Sequence, residues 1–165
     1  MTHTWNRAIH TDVEDIMDMM QNFYRPEIDG VFSPSRTRMG YHLHRAILDQ
    51  SYGINEHCLG VARDPAGKLV AWHWVTRGKF LPYANEEMAV GEFIHVDLEL
   101  PAKQRMRLCI ESLEQWIGWC LLHSIPVLSS TSIREDQAGF MRLHDRLGFK
   151  RHGSFAYKRI IGEAE

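Results

Sequence analysis

The stretch EFIHVDLELPAKQRMRLCIESLEQWIGWCLLH, residues 92–123, decides how the chain folds. Its first part alternates. Ile94, Val96, Leu98 and Leu100 fall on one side; Phe93, His95, Asp97 and Glu99 fall on the other. A period of two predicts a half-buried strand over 92–100. Pro101 is placed to end it, because proline has no N–H for a ladder. From Lys103 the period changes. Met106, Cys109, Ile110, Leu113, Ile117, Cys120 and Leu121 recur at three- and four-residue steps, which is one face of a long helix. Leu113 and Ile117 are expected to be buried against the sheet. The start of this helix is basic, with Lys103, Arg105 and Arg107. A helix start offers unpaired N–H groups and the positive end of the dipole, and both favour a phosphate. A solvated basic first turn is the plainer use of the same residues. Lys103 and Arg107, four apart, share a helix face, whereas Arg105 points elsewhere.

Working outward, 4–9 reads as a short strand. Thr11 and Glu14 have capping-box spacing. Val13, Ile16, Met17, Met20 and Phe23 then follow at helical steps, and the helix is expected to stop before Pro26. Ser33-Pro34 looks like an N-cap followed by proline at the first helical position. Met39, Leu43, Ala46 and Ile47 give the second helix its apolar stripe. Strands over 57–63 and 69–76 flank Asp64-Pro65-Ala66-Gly67, which is turn chemistry. Trp72, His73 and Trp74 load the second of these with aromatic bulk, for core packing or for a ligand wall. Residues 78–91 read as a long polar and aromatic loop, of the kind that shapes a substrate site. After the long helix come a strand over 125–130, hydroxyl residues 129–132, a helix over 136–147 and Gly148 as its C′ residue. Two last strands are predicted over 150–152 and 156–161. Strands and helices in this mixed order predict an α/β fold: a mixed central sheet of about seven strands with helices on both faces.

Composition narrows the function. The 165 residues suit one domain with a real core, so 1–165 is read as a single domain. A net charge of −2 provides no basic field, so nucleic acid is not an expected partner. No apolar run reaches membrane-spanning length, and MTHTWNR lacks an apolar signal core. The three cysteines Cys58, Cys109 and Cys120 read as reduced thiols, and the expected location is cytoplasmic. Ten histidines are many, yet none forms HExxH, and His42 and His44 point to different faces of a helix. No metal site is expected.

In this order, and with these punctuating residues, the chain resembles the GNAT superfamily of N-acetyltransferases. The strongest local piece is Phe140-Met141-Arg142-Leu143-His144-Asp145-Arg146-Leu147-Gly148-Phe149, similar to the family's late helix running into a Leu-Gly-Phe step. Residues 7–20 resemble its opening strand and helix, and Ala66-Gly67-Lys68-Leu69-Val70-Ala71 its hairpin. The resemblance implies acetyl-CoA or another acyl-CoA as donor. It implies an amine acceptor on a small molecule or a protein, and a monomer or homodimer. Small glycine-poor versions of the fold occur in bacteriophages, where a host protein would be the acceptor. The pantetheine arm would lie beside the fourth strand, at Leu98, Glu99 and Leu100, where strand edges pair with its amides. The pyrophosphate would sit on the next helix start, at Lys103, Gln104, Arg105, Met106, Arg107 and Leu108.

The chain departs from the family at that loop. Ala102-Lys103-Gln104-Arg105-Met106-Arg107 stands where the family reads Gln/Arg-x-x-Gly-x-Gly/Ala, and it has no glycine to permit close backbone approach. Two consequences are open. Side-chain cations replace the backbone cradle, or the fold serves as a non-catalytic acyl-CoA binder or a protein-interaction scaffold. Gln137 stands where the family often has Asn early in the late helix. His144 stands where a Tyr often protonates the leaving thiolate.

Amine acylation needs a base for the amine proton, donors for the carbonyl oxygen and an acid for the thiolate. Glu92, His95 and Asp97 lie on or beside the central strand. His95 and Asp97 share a face, either to act jointly on an acceptor or as a hydrogen-bonded polar pair. His144 is the candidate acid, or a packed helix residue. Ser130 and Thr131 are placed to meet the pantetheine arm from the fifth strand, or are solvated hydroxyls.

Overall fold

The computed structural model describes residues 2–28, 32–132 and 138–152, with backbone alone over 23–28. The elements are β1 (Thr4–Arg7), α1 (Val13–Ile28), α2 (Arg36–Ser51), β2 (His57–Arg63), β3 (Leu69–Phe80), β4 (Glu87–Val96), α3 (Ala102–Leu122), β5 (Val127–Ser130) and α4 (Ala138–Arg146). The sheet order is β1-β2-β3-β4-β5, antiparallel throughout except for the parallel β4–β5 pair. The mixed sheet with helices on both faces is as expected, with five strands among the described residues against about seven predicted for the chain. Residues 150–152 carry no strand among the described residues, and 156–161 lie outside them.

Alternation along β3 builds the two layers. Trp72 and Trp74 face α1 and α2, where they pack with Ile16, Met20, Leu43 and Ile47. Val75 packs on the other face with Leu113, Trp116 and Cys120 of α3, and Ala71 with Leu108. β3 is therefore buried on both sides from Leu69 to Val75, and the tryptophans are core residues rather than a ligand wall. His73 points towards α3. It accepts the Trp116 indole N–H on Nδ1 at 2.8 Å, so its Nε2 carries the proton and donates to Gln115 Oε1 at 3.2 Å. Burial pushes the His73 pKa down to about 4.

β4 does not keep the simple alternation. Trp74 pairs with Phe93, but Val75 pairs with Gly91, which leaves Glu92 as an extra residue in the ladder. Such a bulge shifts the phase of the strand. Ala89 and Gly91 face α3 before it, and Ile94 and Val96 face α3 after it. The predicted alternation of 93–96 survives, but the strand ends at Val96 rather than Leu100. Asp97 stops it: its Oδ1 accepts the Glu99 N–H at 2.9 Å, and Leu100 N–H bonds the Asp97 carbonyl. Pro101 therefore starts α3 instead of ending β4.

Other boundaries differ for local reasons. The first turn is closed by Asp12 rather than Thr11, with Asp12 Oδ2 accepting the Ile9 N–H at 2.8 Å. Glu14 instead meets Arg36. α1 continues past Pro26 to Ile28; the proline removes one N–H but the turn persists without it. Ser35, not Ser33, caps α2 by accepting the Arg38 N–H. The predicted 78–91 loop shrinks to 81–86, because Arg77 and Glu87 form a two-pronged ion pair, at 2.6 Å on each prong, that locks the strands together. On α3 the buried residues are Leu108, Ser112, Leu113, Trp116 and Cys120. Ile117 is half-buried and Leu121 is 75% exposed, so the buried stripe is rotated from the predicted one.

Candidate active-site cleft

The cleft begins where pairing stops. β4 and β5 run parallel from Met88–Val127 to Gly91–Ser130, and the ladder ends there. The bulge at Glu92 follows at once, so Glu92 belongs to neither ladder. Beyond this point the strands part around a cleft of about 650 Å³. Its walls are β4 from Gly91 to Val96, the first turns of α3, Ser130 at the end of β5 with Thr131 and Ser132 after it, and α4. From α3 come Ala102, Arg105, Met106 and Cys109, which is one helix face. Pro101 offers no side-chain cap; its carbonyl takes the Gln104 and Arg105 N–H groups, so the open valence of the helix start falls to Ala102 and Lys103.

The floor depends on one close approach. A Cβ on Gly91 would stand 2.1 Å from Cζ3 of Trp116, so only glycine admits the indole beneath the point of divergence. Trp116 is held there by its bond to His73. All three cysteines are free, and burial pushes each thiol up to about 11, which makes Cys109 an apolar wall rather than a nucleophile.

The expected site residues divide. Glu92, His95, Leu98, Arg105, Met106 and Thr131 line the cleft. Glu92 is exposed and accepts the Thr76 hydroxyl at 2.8 Å. His95 is buried, edge-on to Trp72. Asp97 does not line the cleft. It lies past the strand end, paired with Lys68 Nζ at 2.7 Å, in a second concavity lined also by Asp15, Asp18 and Glu99. Desolvation pushes its pKa up, but the Lys68 ammonium and the Glu99 N–H together outweigh it and draw the pKa down. Glu99 also meets Lys68, and Leu100 packs in the core beside Leu108. Gln104 is half-buried and Gln137 lies outside the described residues.

The basic start is sorted differently from the helix-face expectation. Arg105 is the α3 cation on the cleft. Arg107 is held on the outer surface by Glu111 Oε1 at 2.7 Å, and Lys103 is exposed away from the cleft lining. The reason is that β4 approaches the face carrying Ala102, Arg105 and Met106. Sequence reasoning missed Arg142 and Arg146 of α4, which line the opposite wall. Their four-residue spacing was the available signal. Three arginines therefore surround the cleft.

His144 lies behind the cleft wall, 1% exposed, with its ring between Phe140 (4.6 Å) and Phe149 (4.9 Å). Gly148, at φ +84°, turns the chain back after α4 and brings Phe149 onto the ring. Nδ1 meets the Phe140 carbonyl at 3.0 Å. A carbonyl only accepts, so Nδ1 carries the proton and Nε2 is the acceptor for the Ser130 hydroxyl at 2.7 Å. Burial lowers the His144 pKa, opposed by the Phe140 carbonyl. His144 thus reaches the cleft through Ser130. Away from the cleft, Asp49, Glu56 and His57 converge as potential metal ligands among the described residues.

Neither a protein-family model nor a curated protein sequence matches the chain. Solved structures do. Glucosamine-6-phosphate N-acetyltransferase from Arabidopsis thaliana is similar with a TM-score of 0.70 at 15% identity, over 98% of this chain and 100% of that one. An aminoglycoside 6'-N-acetyltransferase from Acinetobacter baumannii gives 0.69 at 13%, again over 98% and 100%. A GNAT superfamily phosphinothricin acetyltransferase from Sinorhizobium meliloti, in complex with acetyl-CoA, gives 0.66 at 19%, over 93% of this chain and 77% of that one. The chain carries the GNAT fold.

Proposed function

We propose that this chain, with its GNAT fold, is an acyl-CoA-dependent N-acyltransferase that moves an acetyl group to an amine. One observation carries the reading. β4 leaves β5 at Gly91–Ser130 and opens a cleft onto an uncapped helix start flanked by arginines. The parts of an acyl-CoA fit these surroundings. The pantetheine amides meet the β4 backbone beyond Gly91, where the β5 ladder has ended. Met106, Cys109, Phe140 and Leu143 supply apolar wall for the arm. The phosphates meet the α3 N–H groups, with Arg105, Arg142 and Arg146 in place of a glycine cradle.

The thioester end of the arm then lies near Glu92, the bulge residue. Glu92 is exposed to the cleft and keeps carboxylate lone pairs beyond the one engaged by Thr76. It is the candidate base for the incoming amine, and His95 lines the same cleft. The acceptor is a small-molecule or protein amine, and the 81–86 loop, which follows exposed Phe80 and carries exposed Leu81 and Tyr83, would shape its entry.

Two measurements test the reading. Acetyl-CoA should raise the melting temperature, with a rise that continues logarithmically as its concentration exceeds Kd, and candidate amines should release free thiol from it. Stabilisation without thiol release across a broad amine panel would leave a non-catalytic binder. No stabilisation at millimolar acetyl-CoA would leave only an interaction scaffold.

A further inference from the structure

We propose that Trp116 sets the length of the acyl group, so that the cleft accepts acetyl and excludes longer acyl chains. The inference rests on the acyl-CoA reading and names the donor class within it. The cleft is a wedge. Its open end is the start of α3, where the phosphates are placed, and its apex is Gly91–Ser130, the last pair of the β4–β5 ladder. Arg105, Met106, Cys109 and Trp116 line it in that order along the helix. Trp116 lies about 20 Å along α3 from the helix start, at the ordinary helical rise. An arm laid along β4 from the phosphates therefore runs towards the apex. The acyl group, beyond the sulfur, is its leading end.

At the apex the indole is the floor. Trp116 lines the cleft although it is only 1% exposed, so no more than an edge of it faces a ligand. Its six-membered ring lies under Gly91, and its N–H is held by His73 Nδ1 at 2.8 Å. Around it pack Val75, Leu113, Cys120 and Ile125. The ring is thus blocked on the β4 side by Gly91 and tied on the β3 side to His73. An acetyl methyl ends against this floor. A longer chain needs the volume that the indole fills, and forcing methylenes into a packed core is destabilising. The surroundings of that volume are apolar, so a smaller side chain at 116 turns the floor into a pocket for an alkyl chain.

The experiment titrates the full chain calorimetrically with free CoA, acetyl-CoA, butyryl-CoA and hexanoyl-CoA. The unmodified protein should bind hexanoyl-CoA about tenfold or more weakly than acetyl-CoA, the least that a pocket wall discriminates per methylene. Butyryl-CoA should fall between them. Trp116→Leu should abolish this preference, with hexanoyl-CoA bound at least as tightly as acetyl-CoA. Trp116→Phe, which shortens the ring system beneath Gly91, should move it the same way and is the variant read if Trp116→Leu does not fold. Free CoA carries no acyl group, so its unchanged affinity shows that a variant is folded. Leu113→Ala opens the same core behind the cleft lining and should leave the preference for acetyl intact. Equal affinity for acetyl-CoA and hexanoyl-CoA in the unmodified protein overturns the inference and leaves the acyl-CoA reading standing. So does a preference that survives in the folded Trp116 variants, or one that Leu113→Ala abolishes equally. Absence of binding by both free CoA and acetyl-CoA at millimolar concentration overturns the acyl-CoA reading itself, and the inference with it.

Discussion

Gly91 lies against the indole of Trp116 so closely that a Cβ at 91 would stand 2.1 Å from Cζ3. The contact joins the floor of the cleft to the last residue of β4 that pairs with β5. Trp116 cannot retreat without giving up its bond to the buried His73. Gly91→Ala should therefore destabilise the fold by about 1–3 kcal/mol through overpacking. Chemical denaturation measures this, and Gly91→Ala combined with Trp116→Leu should recover part of the loss attributable to the clash. A denaturation midpoint unmoved by Gly91→Ala would show that the floor gives way freely.

The two α3 residues expected to be core separate in the structure. Leu113 is fully buried with Val75 and Trp116, whereas Ile117 is half-buried. Leu113→Ala should cost about 2–5 kcal/mol. Ile117→Ala should cost clearly less, because solvent already reaches that side chain. Equal losses would mean that the helix is rotated from the orientation described.

Phosphate binding should depend on Arg105 and not on Arg107. Arg105 lines the cleft; Arg107 is engaged with Glu111. Arg105→Ala should weaken CoA binding by about 1.5–3 kcal/mol, as for a hydrogen bond to a charged group. Arg107→Ala should be close to silent. Titration calorimetry at low and high salt checks both, and the wild-type affinity should fall with salt more steeply than that of Arg105→Ala. The reverse ranking would restore the Lys103–Arg107 helix face as the anion site.

Acid should destabilise the protein through its buried histidines. The folded-state pKa of His73 is about 4, against an ordinary 6.5. The unfolded chain thus binds the proton first as pH falls. The stability contribution of neutral His73 is complete above about pH 6.5 and is lost progressively towards pH 4. The full loss is about 3 kcal/mol, from the size of that displacement. His144 and His57, also lowered by burial, act with the same sign. Urea unfolding between pH 7 and 4 should show this slope, and His73→Gln should flatten it while lowering the neutral-pH baseline. An unchanged slope in His73→Gln would assign the acid sensitivity elsewhere.

Much of the architecture was legible in the chain itself because it rests on local rules. The change of period at 100–103 marks a strand followed by a helix, turn residues at 64–67 mark a hairpin, and Gly148 marks the end of α4. The Leu-Gly-Phe step carries the resemblance to the GNAT fold, and the structure adds its physical role: it folds Phe149 onto His144. Glu92 and His95 were also identifiable as cleft residues, since they sit on the strand that opens.

Other features are set by which surfaces meet, and no local pattern contains that information. The bulge at Glu92 exists only relative to β3, so alternation along β4 alone could not show the phase shift. Helical spacing grouped Lys103 with Arg107, but the approach of β4 chose the face of Arg105 instead. Arg142 and Arg146 became cleft residues when α4 packed across from α3. Asp97 shared a predicted face with His95 until its own turn ended the strand and Lys68 claimed its carboxylate. The Ser130–His144 bond spans fourteen residues and two elements. Periodicity and turn chemistry are short-range and are written in the order of residues. The divergence of two parallel strands, and the side chains that converge on the gap, depend on long-range packing and exist only once the chain has folded.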